Sequence, residues 1–143
     1  MRAARAPVPL RAARRTDDGA VRLLVVEDEQ ALADVVSAGL LREGFAVDVA
    51  PDGHRALELA ADGSYDVIVL DLRLPGMDGW QFRASQLADP ALAGIPVLLL
   101  SGQPDLPQEA AALGAAGYLR KPVGAEDLVA AVEQCCRAAA PAP

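Results

Sequence analysis

The chain has 143 residues, 52% of them hydrophobic and 3% aromatic, enough for one domain whose interior is built from alanine, leucine and valine, and too few for two. Residues 1–15 carry five arginines and no acid, whereas residues 16–143 carry 8 basic and 20 acidic side chains, an imbalance that excludes general binding to phosphate backbones. No apolar run approaches the ~20 residues of a membrane helix, and the start of the chain lacks the roughly 7–15-residue apolar stretch of a secretory signal, so a cytoplasmic protein with no membrane or direct nucleic-acid contact is expected.

Residues 1–19 read as a disordered Arg/Ala-rich leader, and the folded domain is expected over 20–137. Val21–Val26 is a short, almost continuous apolar run, the pattern of a strand buried on both faces. Glu29–Glu43 follows with Leu32, Val35, Val36, Gly39 and Leu40 on one helical face, and Gly44 closes it. Phe45–Val49 alternates in polarity, as an edge strand does. Pro51-Asp52-Gly53 opens a helix running to Ala61, with His54 exposed near its start. Asp66–Leu70 is the third strand, Leu74–Gly79 a loop, and Trp80–Ala88 a helix that Asp89-Pro90 ends. Ile95–Leu100 is the fourth strand; a short helix ends at Gly114; Gly117–Leu119 is the fifth strand. Gly124–Arg137 is the last helix, directing Leu128, Val129, Val132 and one of Cys135 and Cys136 inward as reduced thiols. Residues 138–143 read as a disordered tail.

Alternation of five strands with five helices predicts an α/β fold, a doubly wound five-stranded parallel sheet in the flavodoxin-like order 2-1-3-4-5 with helices on both faces. Right-handed crossovers bring every strand's C-terminal end to one edge, where such sheets bind ligands. Glu27 and Asp28 follow strand one, Asp71 strand three, Ser101 strand four and Lys121 strand five. Alone, Asp28 reads as a helix cap, Ser101 as a turn residue and Lys121 as a surface cation. Together they form a set. Converging carboxylates repel unless a hard cation gathers them, and Mg²⁺ held by one or two carboxylates keeps a position open for a phosphoryl oxygen. An aspartate there can attack phosphorus, with Lys121 and the ion offsetting charge and the Ser101 hydroxyl donating to the phosphoryl group.

The segments Leu23–Glu29, Asp66–Gly79, Val97–Ser101 and Gly117–Pro122 resemble the receiver domain of bacterial two-component response regulators, over about residues 21–137. The resemblance implies that Asp71 is the phosphoacceptor and that Asp28 holds Mg²⁺ directly, with Glu27 acting through water. It implies that the backbone carbonyl of Arg73 is a further metal ligand and Ser101 the switching hydroxyl. Tyr118 would be the aromatic that turns inward, Lys121 the phosphate-contacting lysine, and Pro122 preceded by a cis bond. It further implies a stand-alone, single-domain receiver that takes its phosphoryl group from a sensor histidine kinase or a histidine phosphotransfer protein and switches protein–protein contacts. Gly102 departs from the family's more usual alanine. Pro104 and Pro107 crowd the start of a fourth helix expected to be short or displaced. Arg73 and Gln103, each two residues past a key side chain, are expected to set the lifetime of the phosphorylated form.

Four other functions remain in view. A metal-dependent phosphohydrolase with an Asp nucleophile would carry a second aspartate where Arg73 stands. A nucleotide-binding domain would have a glycine-rich loop where Glu27-Asp28-Glu29 stands, and a Ser–His–Asp hydrolase would need an elbow that Ser101 lacks. An unphosphorylated receiver-like docking module would not need the complete pocket.

Overall fold

The computed structural model describes residues 20–139; the expected leader and the last four residues lie outside them. Five strands alternate with five helices: β1 (Arg22–Val26), α1 (Gln30–Arg42), β2 (Ala46–Ala50), α2 (Gly53–Asp62), β3 (Val67–Asp71), α3 (Gly79–Ala88), β4 (Val97–Ser101), α4 (Leu106–Leu113), β5 (Gly117–Arg120) and α5 (Ala125–Ala139). All strand pairs are parallel and the order is β2-β1-β3-β4-β5. The expected doubly wound topology is therefore the one observed.

Strand periodicity divides the core in two. Leu24, Val26, Ile68, Leu70, Val97 and Leu99 face one way and pack with Ala56, Ala60, Phe82, Leu106, Ala110 and Leu113 of α2, α3 and α4. Leu23, Val25, Val67, Val69, Leu98 and Leu100 face the other way, onto Val36, Leu40, Leu128, Val129 and Val132 of α1 and α5. Because neighbouring residues of a strand point to opposite faces, both faces must be apolar, and the continuous runs follow. β2 lies at the sheet edge as its alternation indicated, and Gly44 closes α1 with a left-handed φ of 91° that a side chain would resist.

Both cysteines of α5 are buried, whereas one was expected inside. Leu128, Val129, Val132, Cys135 and Cys136 form a face wide enough for two adjacent positions. They are free thiols, and burial pushes Cys135 up to about 11 and Cys136 up to about 12, which keeps them uncharged. α4 has only eight residues with Pro107 in its first turn, so the proline-crowded helix is indeed short. At the edge opposite the strand C-termini, the Arg22 guanidinium reaches the Asp48 carboxylate at 2.8 Å and the Tyr65 hydroxyl donates to the same oxygen at 2.7 Å. This cluster ties β1 to β2 and to the turn preceding β3.

Candidate functional site: an acidic pocket at the strand ends

The register of the central strands places the site. Val26 pairs with Leu70 across β1 and β3, so Glu27 and Asp71, each the next residue, emerge side by side. Asp71 and Ser101 are the last residues of β3 and β4, one position inside the strands where sequence had put them just after. Lys121 follows β5 directly, and its amide donates to the Ser101 carbonyl at 2.9 Å. The Lys121–Pro122 peptide bond is cis.

Carboxylate oxygens of Glu27, Asp28 and Asp71 all lie within 4.8 Å of one another. Glu27 and Asp71 are buried and Asp28 is exposed. One Asp71 oxygen accepts the Arg73 amide at 2.9 Å; the other accepts from the Lys121 ammonium at 3.0 Å. One Glu27 oxygen accepts the Glu29 amide at 3.1 Å. Its other oxygen, Oε1, lies 3.3 Å from Lys121 Nζ, an ion-pair distance, yet the alignment makes no hydrogen bond and this buried atom has no such partner. Asp28 does not cap α1: Glu29 stands at the cap position, and no side chain bonds there. The Asp28 carboxylate is thus left for another partner.

Electrostatics follow from this crowding. Burial, offset partly by the Glu29 amide and reinforced by the Asp71 charge, pushes Glu27 up to about 7. For Lys121, burial works to lower the pKa, but the bond to Asp71 and the charges of Asp71 and Glu27 outweigh it and hold the ammonium above the usual lysine range. The pocket therefore keeps its cation and resists full ionisation of its acids. An unbonded buried oxygen beside two more carboxylates is a donor set suited to a small hard cation.

The pocket mouth, a hollow of about 250 Å³, is lined by Asp71, Arg73, Ser101, Gly102, Gln103 and Lys121. Ser101 Oγ accepts the Gln103 amide at 3.1 Å. The Gln103 side-chain oxygen, in the amide orientation its neighbours require, accepts from the Arg73 guanidinium, and the Gln103 carbonyl accepts from Arg120. Arg120 escaped the sequence reading because nothing about an alternating strand residue signals a loop partner 17 positions earlier. Tyr118, by contrast, lies on the outer face of β5 and is 45% exposed. Gly79, the first residue of α3, donates to the Leu72 carbonyl at 3.1 Å. A Cβ there would lie 2.8 Å from Leu72 Cα, so only glycine lets α3 approach the loop after Asp71 this closely.

The profile of the response regulator receiver domain matches residues 23–133. The transcriptional regulatory protein CusR of Escherichia coli K12 is 37% identical over 119 residues, covering 82% of this chain and 52% of that protein. CutR of Streptomyces coelicolor is 43% identical over 116 residues, covering 78% of this chain and 52% of its own length. The chain spans about half the length of these regulators. Among solved structures, the chemotaxis response regulator CheY4 of Vibrio cholerae superposes with a TM-score of 0.76 at 31% identity, covering 81% of this chain and 98% of that one. A sheet of this order with an acidic pocket at its strand ends is that of a phosphoryl-accepting signalling module. The chain belongs to the response regulator receiver domain family, whose function is to accept a phosphoryl group.

Proposed function

We propose that this chain is a phosphorylation switch in which Asp71 accepts a phosphoryl group from a phosphohistidine donor. The observation that carries this reading is the meeting of Glu27, Asp28 and Asp71 with Lys121 bonded to Asp71 at 3.0 Å. The Asp71 carboxylate attacks phosphorus; a P–O bond forms as the P–N bond to the donor imidazole breaks, and the imidazole leaves after taking up a proton. Lys121 stabilises a phosphoryl oxygen. The Ser101 hydroxyl then turns toward the phosphoryl group, vacating space into which Tyr118 rotates from its exposed position. Occupancy shifts because the phosphoryl group contacts one arrangement better than the other.

Asp28 would hold Mg²⁺ together with Asp71 and the Arg73 backbone carbonyl, and Glu27 would do so through water. When bound, the ion supplies positive charge beside the transferring phosphoryl oxygens. Its uptake requires Glu27 ionised. Glu27 titrates near 7 in the fold against 4.5 ordinarily, so the metal-free fold loses stability as pH rises from about 4.5 to 7. For the same reason, ion affinity weakens as pH falls through 7. Trp80, 42% exposed and adjacent to the loop-packing Gly79, reports on this region. Mg²⁺ titration followed by Trp80 fluorescence should give about tenfold weaker binding near pH 6 than near pH 8; equal affinities would count against Glu27 as part of the ion site.

The donor docks beside the pocket. An apolar hollow of about 520 Å³ lined by Leu32, Val35, Pro122 and Val123 adjoins Lys121, and Val35 is 60% exposed. This surface suits an apolar helix face of a sensor histidine kinase or histidine phosphotransfer protein. No helix among the described residues is long and apolar enough to cross a membrane, and the acidic balance of residues 16–143 argues against direct nucleic-acid contact; a cytoplasmic location fits a kinase-fed receiver.

The Arg73–Gln103 contact spans the pocket mouth and shields the acceptor from water. Arg73→Ala and Gln103→Ala should each accelerate loss of the phosphoryl group by about fivefold, the worth of roughly one hydrogen bond. Decay followed by intact mass checks this, and two variants with wild-type decay would remove the proposed shield. The reading as a whole is tested by acetyl phosphate and Mg²⁺: one phosphoryl group should add per chain, without multiple turnover of small phosphate esters.

A further inference from the structure

Arg83 of α3 is buried, 7% exposed, and each of its three hydrogen bonds ends on a neutral oxygen. Nε donates to the Leu113 carbonyl at 2.9 Å and Nη2 to the Gly114 carbonyl at 3.1 Å, both at the C-terminal end of α4. Nη1 donates to Gln86 Oε1 at 2.8 Å. The fully buried Gln86 passes the connection on, its amide donating at 3.0 Å to the carbonyls of Leu92 and Ile95, in the turn that leads to β4. A helix leaves its last carbonyls unpaired and carries partial negative charge there. Arginine, which stays protonated, meets both needs with a rigid fork.

Among the described residues, no buried side chain bonds to the first turn of α4 in this way. Asp105 at the cap position makes no side-chain bond to the helix, and Pro107 occupies the first turn. Gly102 has open space where a Cβ would stand. Leu106 is buried there, but apolar contacts are non-directional and tolerate a change of tilt where paired hydrogen bonds do not. The same end connects through Gln103 to Ser101 in the acceptor pocket.

We propose that Arg83 is a positioning residue that makes the C-terminal end of α4 a fixed pivot. Phosphorylation then displaces the N-terminal end of α4 and leaves Leu113–Gly114 in place. The inference rests on the phosphoryl-acceptor reading above. It assigns the output movement to one end of one helix, and it makes α3, which begins beside the acceptor loop, the frame against which α4 tilts.

Hydrogen exchange read by mass spectrometry on the full chain tests it, with and without acetyl phosphate and Mg²⁺ and with phosphoryl uptake verified by intact mass. In the wild-type chain, uptake should change exchange over residues 102–108 and leave 111–116 unchanged. Arg83→Lys keeps the charge but cannot reach all three oxygens. In the unphosphorylated variant, exchange at 111–116 should rise roughly tenfold, and on phosphorylation the change should spread through 116 while uptake persists. A merely structural role would not create that dependence on phosphorylation. Equal changes at both ends of α4 in the wild-type chain would overturn the pivot, as would wild-type exchange at 111–116 in Arg83→Lys. Should the variant fail to fold, the wild-type comparison decides alone. Absence of phosphoryl uptake would instead refute the acceptor reading, and the unphosphorylated comparison would still decide whether Arg83 holds this end of α4.

Discussion

Asp71→Asn should abolish phosphoryl uptake from acetyl phosphate while leaving the fold intact. The carboxamide matches the carboxylate in shape and its oxygen can still accept the Arg73 amide that Asp71 accepts at 2.9 Å. What it loses is the anionic oxygen proposed to attack phosphorus, and no neutral amide replaces a carboxylate nucleophile at neutral pH. The substitution also removes one negative charge from a buried site whose acids repel one another, so stability of the metal-free chain should hold or rise. Intact mass after incubation with Mg²⁺ and acetyl phosphate, beside a thermal melt, checks both parts. Persistent uptake by a folded Asp71→Asn chain would assign the acceptor elsewhere.

Lys121→Met should separate ion binding from phosphoryl transfer. The methionine fills the space of the aliphatic stem and deletes the ammonium that lies 3.0 Å from Asp71 and 3.3 Å from Glu27. With that cation gone, a divalent ion meets less repulsion and more uncompensated negative charge, so Mg²⁺ should bind more tightly. Phosphoryl uptake should nonetheless slow by about a hundredfold, the usual cost of losing one preorganised donor to developing charge. The variant should also depend more steeply on Mg²⁺ for stability above pH 7, where Glu27 ionises. Mg²⁺ titration and time-resolved mass measurement read the two effects separately. Unchanged uptake would show that Lys121 is only a charge-balancing partner of the resting pocket.

The legible part of this chain was whatever depends on local pattern. Apolar runs ending in Glu27, Asp71 and Ser101 specify buried parallel strands and put those side chains on one edge, because strand direction and crossover hand leave no alternative. Gly44 and the break at Asp89-Pro90 mark helix ends through backbone geometry that sequence reports directly. What escaped depends on partners far along the chain. Arg83 looks like a solvent-facing helix residue until the carbonyls of Leu113 and Gly114, some thirty residues later, receive it, and Gln86 does so until the carbonyls of Leu92 and Ile95 receive its amide. The burial of both Cys135 and Cys136 depends on how wide a face α5 presents to α1 and the sheet, and small residues do not reveal that width. Asp28 was open to reading as a cap for α1; the geometry at Glu29 leaves it uncommitted, and that contrast needed coordinates.

If the clustered acids and Lys121 prime Asp71 as a metal-dependent nucleophile, phosphoryl uptake is confined to Asp71 and needs Mg²⁺. Treating the wild-type chain with acetyl phosphate, in Mg²⁺ or in chelator, then reducing with borohydride and mapping peptides by mass tests it most directly. The expected result is a single reduced acyl-phosphate site at position 71, present with Mg²⁺ and lost with chelator. Modification at another position, or equal modification in chelator, would contradict it.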